Sequence, residues 1–139
     1  MTRRRLRLIV LAYGISLFIW LSVEDVSVGP VILFGLGAAF LTSVLSTVGK
    51  LNVVSIAARY LPILALLLGG LNGALTSVMV VALMFFKNSR HAHIFADYPP
   101  EVMVAILRRG PVWALAGGLI GLSVGLGWLA WRRNDEQSA

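Results

Sequence analysis

Four long apolar runs constrain this sequence more than any other feature. They lie at about residues 7–23, 30–48, 60–86 and 111–131 and are separated by charged or polar stretches. A helix rises about 1.5 Å per residue, so roughly 20 apolar residues cross the ~30 Å hydrocarbon core of a bilayer. The sequence therefore predicts an all-α integral membrane protein, a four-transmembrane-helix bundle that forms a single domain over residues 1–139.

The balance of charged and apolar residues points the same way. Hydrophobic residues make up 58% of the chain and charged residues only 13%, whereas a soluble domain carries about 25% charged residues. The net charge is +6, and the basic residues form short clusters between the apolar runs, which favours membrane orientation over nucleic-acid binding. The absence of cysteine excludes disulfides, thiol nucleophiles and iron–sulfur clusters.

The first run follows a group of arginines, a pattern shared by signal peptides and membrane spans. Its end, Trp20-Leu21-Ser22-Val23-Glu24, lacks the small residues of a cleavage site. We therefore interpret this run as a retained first span, a signal anchor. At the end of the third run, Phe85, Phe86 and Lys87 are expected to form an aromatic and cationic anchor in the membrane interface.

Residues 88–110 form the one sizeable connection, and its second half predicts a short helix. Pro99 and Pro100 suit a first turn, Asp97 is expected to cap the helix, and Gly110 is expected to end it. The apolar body of this segment is too short to cross a bilayer. We expect it to lie in the interface, between the third and fourth spans.

The distribution of basic residues predicts the orientation of the chain. With the N-terminus inside, the outer side carries four basic residues and the cytoplasmic side eight. The outer four are Lys87, Arg90, Arg108 and Arg109; the cytoplasmic eight are Arg3, Arg4, Arg5, Arg7, Lys50, Arg59, Arg132 and Arg133. Loops rich in Lys and Arg stay in the cytoplasm. The sequence therefore predicts a multi-pass cell-membrane protein with both termini in the cytoplasm.

Small residues recur every four positions in three of the runs. The rows are Gly35, Ala39 and Ser43, then Gly69, Gly73 and Ser77, then Gly117, Gly121 and Gly125. Such rows let two helix backbones approach closely in lipid. They predict helix-packing faces, without indicating which helix meets which.

Two polar residues, Asn72 and Thr76, lie in the middle of the third run. They could contact a substrate or ion, or form an interhelical hydrogen bond worth about 0.6 kcal/mol. We favour the hydrogen bond, because a single neutral amide is a poor coupling site. No Asp, Glu, His, Lys or Arg lies in the middle of any run, which argues against proton-coupled transport and histidine-ligated haem.

The connection at 88–110 also holds both histidines of the chain. His91 and His93, with Asp97 nearby, could hold a metal ion. The alternative is that they are interfacial side chains near lipid headgroups, and the lack of cysteine or of a second ligand cluster favours that alternative.

These observations lead to three functional hypotheses. The first is a non-enzymatic structural or accessory protein without a cofactor, surrounded by the lipid bilayer and packed against a membrane-protein partner or a second copy of itself. The second is a small oligomeric channel or transporter, with Asn72, Thr76 and Ser77 lining its path. The third is an outer-face metal-binding protein that uses His91, His93 and Asp97.

Overall fold

The computed structural model describes residues 3–24, 26–51, 58–90 and 96–137. Within these ranges the chain forms five α-helices and one 3-10 turn. The helices are α1 (Arg3–Ser22), α2 (Val28–Leu51), α3 (Leu61–Arg90), α4 (Pro100–Arg108) and α5 (Gly110–Gln137), and the turn Ala58–Tyr60 precedes α3.

Four of these helices, α1, α2, α3 and α5, are long and apolar enough to cross a membrane. Their outward faces carry large apolar side chains that are more than half exposed, among them Leu11, Phe18, Leu33, Leu71 and Leu115. A surface of this kind would be an aggregation hazard in water and fits a lipid environment. The prediction of a helical chain with four helices of spanning length is confirmed.

The helices extend beyond the apolar runs that predicted them. The helix α3 continues to Arg90, so the first residues of the expected 88–110 connection belong to it, and α5 continues to Gln137. An apolar run ends where charged residues begin. The backbone hydrogen bonds of a helix can continue past that point, because polar side chains do not interrupt them.

The helices α3 and α5 pack most closely. A Cβ added at Gly69 would overlap the carbonyl of Gly117 and lie 3.2 Å from the Cα of Gly121. One added at Gly73 would lie 2.7 Å from the carbonyl carbon of Trp113. Residue numbers rise along α3 as they fall along α5, so the pair is antiparallel with its backbones in direct contact.

The helix α2 packs on a different face of α3. A Cβ added at Gly35 would lie 2.9 Å from the backbone nitrogen of Val80. Two turns further along α2, the Ser43 hydroxyl donates a hydrogen bond of 2.9 Å to Oδ1 of Asn72. Ala39, between them, is fully buried. The small-residue row of α2 therefore faces α3, and α3 is the central helix of the bundle.

The helix α1 is attached to α2 chiefly through aromatic side chains. The Tyr13 hydroxyl donates a hydrogen bond of 2.6 Å to the carbonyl of Phe34. The ring of Trp20 lies 5.1 Å from that of Phe34, centroid to centroid. These contacts hold α1 at its middle and its C-terminal end.

The start of α4 differs from the expectation. Asp97 does not cap it: Pro99 occupies the N-cap position, and no side chain makes a capping hydrogen bond. Pro100, at the first helical position, has no N–H to satisfy. The N–H groups of Val102 and Met103 bond to the carbonyl of Pro99 at 3.1 and 3.4 Å. The backbone thus satisfies these donors without a carboxylate.

The expected helix end at Gly110 is also wrong. The helix α4 ends at Arg108, and Arg109 keeps a right-handed conformation with φ −83° and ψ −5°. Gly110 is the first residue of α5, and the N–H of Trp113 bonds to the carbonyl of Arg109 at 3.0 Å. The chain passes from α4 to α5 through a single right-handed residue, so no left-handed glycine is required.

Candidate functional site at the end of the bundle

One face of α3 is buried from the middle of the helix towards its C-terminal end. Its members recur at intervals of three and four residues, which places them on one side of a helix. They are Gly73, Thr76, Ser77, Val80, Met84 and Lys87. The face ends, unexpectedly, in a lysine.

Lys87 has no exposed surface. Its Nζ lies 4.4 Å from the centroid of the Trp20 ring, which α1 contributes. An ammonium over the face of an indole is attracted by the ring quadrupole, and the attraction reaches about 2 kcal/mol when the pair is desolvated. Lys87 therefore connects α3 to the C-terminal end of α1.

Tyr98 closes this end of the bundle and is only 1% exposed. Its backbone N–H donates to Oδ1 of Asn88 at 3.0 Å, and Nδ2 of Asn88 donates to its carbonyl at 2.8 Å. The Tyr98 hydroxyl donates to the carbonyl of Ser27, just before α2, at 3.1 Å. We call these three residues, Asn88, Tyr98 and Ser27, the Tyr98 latch. The latch fastens the segment before α4 to the end of α3 and to the start of α2.

The aromatic partner of the lysine belongs to an apolar cluster. Trp20, Leu21, Val31, Met84 and Tyr98 form this buried cluster, which also contains Val80 and Ile106. Nε1 of Trp20 is the one buried side-chain nitrogen or oxygen in the described ranges that lacks a hydrogen-bond partner. An ammonium group in this position loses most of its hydration, so its interactions with neighbouring groups are strong. Substituting the lysine should therefore change the stability of the fold measurably.

The sequence had placed Lys87 in the membrane interface, together with Phe85 and Phe86. Both phenylalanines are exposed as expected, but the lysine points into the bundle. A hydropathy run detects only that a charge follows apolar residues. The helical register would have revealed more, since Lys87 is three residues after Met84 and seven after Val80, on the buried face.

The predicted intramembrane polar residues bond within the chain. Asn72 accepts the hydrogen bond from Ser43, and the Thr76 hydroxyl donates to the Asn72 carbonyl at 2.9 Å. The Ser77 hydroxyl donates to the carbonyl of Ala74 at 2.8 Å. Each of these groups thus has a partner inside the bundle.

The predicted packing residues of the third and fourth runs come together in one place. The row Gly69, Gly73 and Ser77 faces the row Gly117, Gly121 and Gly125, with neighbouring backbone atoms completing the contact. At one end, a Cβ added at Gly110 would lie 3.1 Å from Oγ of Ser77. These small residues therefore form packing contacts between helices of the same chain.

The predicted metal ligands cannot be placed as a group. His91 and His93 lie outside the described residues, and Asp97 is partly exposed. Among the residues that the structure does describe, no group of three His, Cys, Asp or Glu side chains could hold a metal ion. The metal site stays a prediction.

No family model, no curated protein and no solved structure matches this chain. The site at the end of the bundle joins α1, the start of α2, the end of α3 and the segment before α4 around one buried positive charge. Chemically it provides a fixed cation against an aromatic face, closed by a tyrosine, and the arrangement fastens helices together.

Proposed function

We propose that the chain is inserted in the cell membrane by α1, α2, α3 and α5, with both termini in the cytoplasm and α4 in the outer interface. The burial of Lys87 supports this orientation, because it leaves Arg90, Arg108 and Arg109 as the exposed basic residues of the outer end. Cation–aromatic pairs of the kind that anchors helices in a membrane interface also lie at the opposite end of the bundle, and they mark an interface there without indicating which side it faces. There the Arg59 guanidinium lies 4.7 Å from the Tyr60 ring centroid, and that of Arg132 lies 5.4 Å from the Trp128 ring centroid.

Within that membrane, the proposed role is structural: a non-enzymatic accessory protein that packs against a membrane complex or a second copy of itself. The observation that carries the proposal is that the polar groups and small-residue rows of the central helix are engaged inside the chain. Asn72 bonds to α2, and Gly69 and Gly73 pack on α5. The chain thus has a tightly joined core, and its apolar outer surface remains for a partner.

The N-terminal part of α1 packs only loosely against the rest of the described chain. Leu8, Leu11 and Ile15 are exposed, and a Cβ added at Gly14 would meet nothing within 4 Å. Helices associate in lipid through close packing and interhelical hydrogen bonds. Among the residues that the structure describes, this part of α1 makes one such bond, from Tyr13. A partner helix placed here would supply the packing that the chain itself does not.

The proposal is tested by photo-crosslinking in native membranes. A photoreactive residue is placed at Leu11 or Ile15 on α1 and, as matched controls, at the equally exposed Leu119 or Val124 on α5. We expect a discrete protein adduct from the α1 positions and lipid adducts from the controls. An adduct of twice the chain mass would identify a second copy as the partner. Lipid adducts alone at all four positions would contradict an accessory role.

The geometry gives less support to a channel. Between Thr76 and Lys87 the buried face of α3 carries Val80 and Met84, both without exposed surface. The polar residues of this face are therefore separated by apolar packing, and they do not form a row along which an ion could move. The metal-binding alternative is tested independently: about one zinc ion per chain after desalting, lost on His93→Ala, would support it.

A further inference from the structure

The outward face of α4 forms an open groove of about 540 Å³. The short side chain of Ala105 and that of Val104 form its middle, and longer side chains stand at either end. The lining residues are Pro100, Glu101, Val104, Ala105, Arg108 and Arg109. Ile106 points the other way, into the bundle. The groove is therefore a face of α4 that the described residues leave uncovered.

The charges of the groove are separated along its length. Arg108 lies in the last turn of α4 and Arg109 directly after it, and both are exposed. Glu101 lies in the first turn, about 10 Å away along the helix axis. Its negative charge is complemented there by the positive end of the helix dipole. One end of the groove is consequently a pair of arginines, and its net charge is positive.

This basic pair stands directly before a long apolar helix. The backbone of Arg109 bonds to Trp113 in the first turn of α5. From there Val112, Leu115 and Leu119 follow at intervals of three and four, and all three are more than half exposed. A basic pair continuous with an apolar stripe matches a phosphate group attached to an acyl chain. A free phosphate ion would use only the arginines.

We propose that the α4 groove binds the headgroup of an anionic phospholipid, with the phosphate on Arg108 and Arg109 and an acyl chain along the exposed stripe of α5. Guanidinium groups suit this ligand because they present paired N–H donors to phosphate oxygens. This inference rests on the membrane insertion proposed above. It adds an anionic phospholipid as the ligand of the interfacial helix α4.

The test compares lipids retained by the purified full chain. The protein in mild detergent is mixed with equal amounts of phosphatidylglycerol and phosphatidylcholine, and bound lipids are counted by native mass spectrometry. We expect the chain to retain mainly phosphatidylglycerol. Replacing both arginines (Arg108→Gln with Arg109→Gln) should lower that preference about 30-fold, because each basic residue near anionic lipid contributes about 1 kcal/mol and about 1.4 kcal/mol is a factor of ten. The matched control is Arg90→Gln, an exposed arginine at the same end and outside the groove, which should leave the preference unchanged.

Each contrary result has a distinct meaning. An equal loss in Arg90→Gln would overturn the groove in favour of diffuse surface charge. Displacement of phosphatidylglycerol by millimolar inorganic phosphate would show a free-phosphate site and overturn the lipid assignment. Carbonate extraction of native membranes separates the two proposals. Release of the chain would overturn the insertion and the lipid site together, whereas a retained chain without a lipid preference would overturn the lipid site alone.

Discussion

Gly121 lies so close to the backbone of α3 that there is no room for a side-chain carbon. A Cβ there would overlap the carbonyl oxygen of Ala65 and lie 2.8 Å from its carbonyl carbon. We expect Gly121→Ala to reduce the free energy of unfolding by about 1–3 kcal/mol, because backbone cannot move aside as a flexible side chain can. Denaturant unfolding in detergent micelles measures this.

Gly127→Ala is the matched control, since Gly127 lies on the same helix and has open space around its Cα. The gain in helix propensity of about 1 kcal/mol applies to both variants. The difference between them therefore reports packing. Equal stabilities would remove the argument for close backbone contact between α3 and α5.

The second prediction at this scale concerns Lys87 and Trp20. We expect a double-mutant cycle with Lys87→Met and Trp20→Leu to give a coupling free energy of about 2 kcal/mol, the value for a desolvated cation–π pair. The same cycle on Arg59 and Tyr60, an exposed pair at 4.7 Å, should give about 0.5–1 kcal/mol. Coupling at Lys87 no larger than at Arg59 would show that burial adds nothing to the pair.

The expectations drawn from the sequence were wrong mainly for individual residues. Asp97 was expected to cap α4, yet Pro99 is at the N-cap position and its carbonyl bonds the N–H groups of Val102 and Met103. Lys87 was expected in the interface, yet it is buried against Trp20. Both expectations used local context. The buried position of Lys87 follows from the helical register, but its partner, an aromatic ring from another helix, does not follow from the linear sequence.

The helices themselves were far more predictable than their partners. Apolar runs of spanning length indicate helices because a bilayer requires every backbone polar group to be bonded internally. The small-residue rows indicated packing faces. The sequence could not predict which rows pack against each other, because three rows with the same spacing can pair in several ways. The structure pairs the α3 row with the α5 row, while the α2 row meets Val80 and Asn72 on another face of α3.

The Tyr98 latch leads to a prediction at the scale of the element. Asn88→Ala removes both side-chain bonds to the Tyr98 backbone, so the segment before α4 should open more often. We expect hydrogen exchange of the Tyr98 amide to accelerate on the order of tenfold, the equivalent of one or two hydrogen bonds. Ser89→Ala is the control, since the Ser89 hydroxyl bonds only within α3, to the carbonyl of Phe85. Unchanged exchange in Asn88→Ala would mean that Tyr98 is held by its buried ring alone.

For the whole molecule, the proposed orientation is tested by reporter fusions. Fusions after Lys50 and after Arg133 should report the cytoplasm, and a fusion after Arg90 should report the outside, because basic residues are concentrated on the first side. The three fusion points lie at the ends of α2 and α3 and after the apolar part of α5. A cytoplasmic signal at Arg90 combined with an external one at Arg133 would reverse the orientation.

The pairing of α3 with α5 also sets an order of events during biosynthesis. When α3 is complete at Arg90, the glycines that will cover Gly69 and Gly73 have not yet been translated; Gly117 and Gly121 lie about 30 residues further on. At roughly 5–20 residues per second, they follow a few seconds later. During that interval α2 is already available to bond Asn72, but the glycine face of α3 has no partner in the chain. We therefore expect early contacts with α2, such as the bond from Ser43 to Asn72, to hold α3 in place until α5 is delivered beside it.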